Sequence, residues 1–150
     1  MHENLSQSTG ENGQIIPFFI LTILLLGLML AVSLQIGRIV YARGEVAKAA
    51  DAAALAAASQ LDLAAYREAG QIVFLPNAPA MAQDYAMRNA GFLAKHEIGV
   101  SVSQIWVDAG SQLVYVTVVA DLASLLPGFL SHSGNYAATG YAQARIQGGP

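Results

Sequence analysis

The sequence predicts an α+β fold: one long N-terminal helix, half in a bilayer and half outside it, packed on a small antiparallel sheet. Three observations carry this. Residues 15–37 hold no charged side chain, and at ~1.5 Å rise per residue such a helix crosses a ~30 Å hydrocarbon core. The stretch that follows, RIVYARGEVAKAADAAALAAASQLD, is rich in strong helix formers and has no proline, so nothing in it forbids the helix from continuing. Beyond residue 98 the pattern changes to short runs rich in Val, Ile, Tyr and Trp, the mark of strands.

The totals bound the function. The chain has 150 residues, enough for one small domain and an anchor. Its boundaries fall as a polar N-terminal segment (1–13), a transmembrane helix (14–37), an alanine-rich helix extension (38–69) and an α+β head (70–150). Charged residues make up 11%, well below the ~25% of soluble domains, so partners or lipid are expected to cover much of the head. Net charge is −3 with no basic run, which argues against a nucleic-acid partner. There is no cysteine, hence no disulfide or thiolate chemistry. The apolar run is too long for a removable signal peptide, whose apolar core is shorter, and reads as retained.

Along the span, Pro17 is expected in the first turn, where a missing N–H costs least. Gly27 and Ala31 are four residues apart, as are Ser33 and Gly37; small residues at this spacing let a second helix approach closely. Gln35 sits near the far end. The extension predicts a helix unbroken from about residue 15 to the mid-sixties, with Gly44 its weakest point and Gly70 its stop. A Lys48–Asp51 pair is available at i,i+3. Residues 80–97 read as a second helix with Met81, Tyr85 and Phe92 as its apolar stripe. Residues 99–108 and 112–121 read as a β-hairpin turning at 108–111. Residues 135–146 read as a final strand. One of its faces is small: Tyr136, Ala138, Gly140, Ala142, Ala144 and Ile146. A strand with so little side chain suits an alanine-rich helix, so the two are expected to pack together. Between the last two strands, Leu122, Leu125, Leu126, Phe129 and Leu130 either cap the core or offer an apolar contact to a partner or membrane.

Nothing in the sequence reads as a catalytic, cofactor or metal site. His2, His96 and His132 lie in separate segments without a second ligand at helical spacing. No nucleophile elbow, phosphate loop or dinucleotide fingerprint occurs, and no small-molecule substrate is implied.

At 13–60 the chain resembles the TadE/TadG-like family, pilin-like proteins linked to tight-adherence (Flp) pilus assembly. The matching points are Gly13-Gln14 before the span, Gly37-Arg38 at its end, Arg43 five residues on, and the run from Ala49 through Asp51 to Ala56. The resemblance implies a pilin-like α+β head, a bacterial cytoplasmic membrane location and a non-catalytic structural role. Partners are then other membrane protein subunits and the bilayer. The glutamate that pilins carry at the fifth mature position is missing; counted from Gln14, that place holds Phe18. The expectation is therefore an uncleaved, single-pass protein. Orientation draws on two opposed signals. Arg38, Arg43 and Lys48 follow the span, and by the positive-inside rule would hold the head in the cytoplasm; the family implies the reverse, and the expectation follows the family. Two functions compete: a component that assembles with or stabilises a Flp-type pilus or secretion machine, and an accessory stabilising subunit of a respiratory or photosynthetic membrane complex.

Overall fold

The computed structural model describes residues 12–124 and 135–146. Its first element, α1 (Asn12–Ala58), is one continuous helix that runs through Gly44. It begins earlier than the sequence suggests, so Pro17 lies inside the helix rather than in its first turn. There a proline leaves one carbonyl of the preceding turn without its usual donor.

The helix stops at Ala58, short of the mid-sixties. A later segment of the same chain, residues 73–75, pairs with it at this point. Leu61 forms a bridge with Phe74. The Asp62 N–H donates to the Val73 carbonyl at 2.9 Å, and the Leu75 N–H donates to the Gln60 carbonyl at 2.9 Å. The Asp62 carboxylate then caps a new short helix, α2 (Leu63–Ala69), accepting from the N–H groups of Ala64 and Ala65. Gly70 closes α2 in the left-handed region at φ 65°, the stop expected of it. The extension expected over 38–69 is thus two helices with a turn between them.

The second helical segment also divides, into α3 (Ala78–Asn89) and α4 (Gly91–Lys95). Its buried stripe differs from the expected one. Ala78, Ala82 and Ala86 are fully buried, while Tyr85 is 41% exposed. The reason is close approach: α3 lies against α1, whose own buried face is Ala42, Val46, Ala49, Ala50, Ala53 and Ala57. Two alanine faces meet at short range, and the larger Met81 and Tyr85 are displaced to the sides.

The strands are β1 (Val100–Asp108), β2 (Leu113–Ala123) and β3 (Asn135–Arg145), an antiparallel meander in that order. The turn at 108–111 is held by Asp108, whose carboxylate accepts from the Gly110 and Ser111 N–H groups and the Ser111 hydroxyl. On the inner face of β2, Val114, Val116, Val118, Ala120 and Leu122 are buried against the helices. The outer face is only partly covered: Trp106 and Tyr115 stack with ring centroids 5.1 Å apart, and Tyr141 is 73% exposed.

The fold is therefore two layers. Helices α1 and α3 lie on one face of the sheet, α1 against β2 and β3 and α3 against β1. Below that head, α1 runs on alone.

Candidate functional site

The site is α1 itself, which serves both as an apolar rod and as the floor of the head. Its apolar window has a mean hydropathy of 2.9 and is wholly unburied, and it is long and apolar enough to cross a membrane. Burial starts at one residue, Gln35, only 4% exposed, and becomes continuous from Ala42 onward. The boundary between rod and floor thus falls within two turns of helix.

Three contacts fix the head to that boundary. The Arg38 guanidinium donates to the Ala123 carbonyl at 2.9 Å, tying the end of β2 to α1. Glu45, 7% exposed, pairs with Lys48 at 2.7 Å, with the Phe92 backbone at the start of α4 close enough to favour its charged form. Its carboxyl is held below the usual glutamate range, chiefly by the Lys48 hydrogen bond against the opposing effect of burial. Lys48 is raised by the same partner. The expected Lys48–Asp51 pair does not form; Asp51 is exposed. The closest contact is at Gly140. A Cβ there would stand 2.7 Å from the Val46 carbonyl oxygen, so only glycine lets β3 lie this near the helix backbone.

A fourth device closes the sheet's edge. The Gln83 side chain on α3 donates to the Val100 carbonyl at 2.8 Å and accepts from the Val102 N–H at 2.7 Å. It satisfies two backbone groups of β1 as a neighbouring strand would. Arg38, Glu45 and Gln83 were not singled out from sequence as structural contacts. Glu45 had a signal: it stands three residues before Lys48, the same spacing that suggested Asp51 on the other side.

The four small residues of the span do not share one stripe. At roughly 100° per residue, Gly27 and Ala31 fall on the side of α1 that bears the head, and Ala31 is half-buried. Ser33 and Gly37 fall roughly 120° away and are exposed. Among the described residues, a Cβ added at Gly27 or Gly37 would meet nothing within 4 Å. The Ser33 hydroxyl is turned back to the Met29 carbonyl at 2.9 Å.

Of the apolar segment expected either to cap the core or to offer a contact, Leu122 is 1% exposed and belongs to the core, because it alternates with Ala120 and Val118 on the inner face of β2. It is not a contact residue. Leu125, Leu126, Phe129 and Leu130 lie outside the described residues. Among the described residues no group of three or more His, Asp or Glu comes together as metal ligands would.

No curated protein and no solved structure matches the chain. A family model does match, described as putative Flp pilus-assembly TadE/G-like, over residues 13–60. That segment is α1 less its first residue, plus the two residues that follow it, so the element that carries both the apolar rod and the floor of the head is similar to the TadE/G-like family.

Proposed function

We propose that this protein is a non-catalytic, single-pass membrane protein that assembles with, or stabilises, a Flp-type pilus or secretion machine. The observation that carries the reading is the unbroken passage of α1 from an apolar, unburied stretch into the floor of the head. A head fixed to its anchor by a continuous helix has no hinge between them. Any force or contact on the span is passed to the head directly, which suits a part that holds others in register. The similarity of this helix to the TadE/G-like family supplies the kind of assembly.

In this reading residues 14–37 span the cytoplasmic membrane, the N-terminus is cytoplasmic and the head lies outside. Ser33 and Gly37 form the seam for a neighbouring span, since they face away from the head and are open. Gly27 and Ala31 offer a second seam lower on the head-bearing side.

The test is gentle solubilisation and capture of the chain, followed by identification of what accompanies it. Pilus ATPase and platform proteins support the proposal; respiratory or photosynthetic redox subunits would replace it. Gly37→Leu and Gly27→Leu should each release companions without unfolding the head, because a Cβ at either position meets none of the described residues within 4 Å. Retention of all companions by both variants would remove these seams from the account.

A further inference from the structure

We propose that the head rests directly on the bilayer surface, with α4 and the rings packed beside it seated among phospholipid headgroups. This rests on the reading that α1 spans the membrane. The contact is made by Tyr41, Phe92, Lys95 and His96, joined by Arg43.

Depth along α1 carries the argument. The uncharged run ends at Gly37 and the first charge is Arg38. Tyr41 lies four residues beyond Gly37, so its Cα stands ~6 Å above the end of the run. The headgroup layer on each side of the hydrocarbon core is roughly 5–8 Å thick. Tyr41 is therefore inside that layer. Its ring touches Phe92 edge-on, with centroids 4.5 Å apart, and Phe92 in turn contacts His96 at 4.2 Å. Helix α4 is held beside this stretch of α1 by the Tyr41–Phe92 ring contact and by Leu93, which is fully buried in the core. Tyr41 thus lies at the depth where amphipathic rings are most stable in membranes, and Phe92 and His96 follow it in a chain of ring contacts.

The exposure fits. Tyr41 is 52% exposed although packed on Phe92. Lys95 and His96 are exposed at the end of α4, and Arg43 is exposed on α1. No ion pair engages Arg43 or Lys95 among the described residues, which leaves them for lipid phosphates. Of the nearby acids, Glu45 is turned inward and occupied by Lys48. Glu97 is exposed beside His96 and offsets one positive charge. The attraction to phosphate is thus local, and ring burial contributes the rest. The opposite end of the head, with the hairpin turn at Ala109, faces away from the membrane.

The chain has no cysteine, so single cysteines for spin labels can be placed without other changes. The variants are Leu25→Cys, Lys95→Cys, His96→Cys and Ala109→Cys, each in the full chain in nanodiscs of phosphatidylcholine and phosphatidylglycerol. Collision with a water-soluble nickel chelate is measured for each label. The expected order has Leu25→Cys shielded, Lys95→Cys and His96→Cys several-fold less accessible than Ala109→Cys, and Ala109→Cys fully accessible. If the labels at 95 and 96 collide as freely as that at 109 while 25 is shielded, the seat is wrong and the span stands. If 25 is as accessible as 109, the span reading fails and the seat falls with it. The discs are loaded at one chain each and made large enough to keep the scaffold belt away from the head, so protection at 95 and 96 reports lipid.

Discussion

Gly140 on β3 lies so close to Val46 on α1 that a Cβ there would stand 2.7 Å from the Val46 carbonyl oxygen and 3.0 Å from the Ala47 nitrogen. Both contacts are to backbone, and a helix backbone cannot move aside as a side chain can. Gly140→Ala must push β3 off α1. It should cost about 1–3 kcal/mol, the usual range for overpacking. Thermal unfolding in detergent measures it; a variant that melts with the parent would mean the approach is looser than described.

Packing between α3 and α1 depends on alanine. Ala82 is fully buried and Tyr85, three residues on, is 41% exposed. Ala82→Leu should destabilise by about 1–3 kcal/mol. Met87, 50% exposed on the same helix, gives the control: Met87→Ala should change stability by no more than about 0.5 kcal/mol. Equal losses in the two variants would restore the Met and aromatic stripe as the packed face.

Gly44 is helical, exposed, and has open space where a Cβ would go. Glycine inside a helix costs roughly 0.5–1 kcal/mol relative to alanine. Gly44→Ala should therefore raise stability by about that amount. A loss on substitution would show that the helix bends or opens at this position.

The Glu45–Lys48 pair sets a pH dependence. Lys48 holds the Glu45 carboxyl below its ordinary range. With the folded-state value lowered, the carboxylate's contribution is complete above the unfolded value, near 4.3, and is lost as pH falls through the folded one. Lys48 is raised by the same contact, so its share is complete below the ordinary lysine range and lost only in strong base. Melting temperature should fall on the acid side and stay flat through neutral pH. In Glu45→Gln the acid limb should flatten. An unchanged acid limb would assign that loss to other carboxylates.

Much of this was legible in the chain. The uncharged run, the absence of proline between Pro17 and Pro76 and the alanine density together gave the continuous helix through Gly44. The small alternation from Tyr136 to Ala144 gave the strand that lies on it. The end of α1 was missed because the stretch SQLD still reads as helical; only pairing of Leu61 with Phe74 makes Asp62 a cap instead of one more helical residue. The stripe of α3 was missed because larger apolar groups were weighted over alanine, whereas a helix facing alanines buries its own alanines. Gln83 was invisible because a side chain standing in for a strand has no local pattern.

The account's central claim is that one helix carries the chain through the membrane and into the head. Two single-cysteine variants in this cysteine-free chain test it, Ser6→Cys before the span and Ala109→Cys in the head. Intact spheroplasts are treated with a membrane-impermeant maleimide, and lysed ones in parallel. The account predicts that Ala109→Cys labels in intact spheroplasts and Ser6→Cys only after lysis. Labelling of both from the same side would contradict it, since a helix that fails to separate these two residues does not span the bilayer.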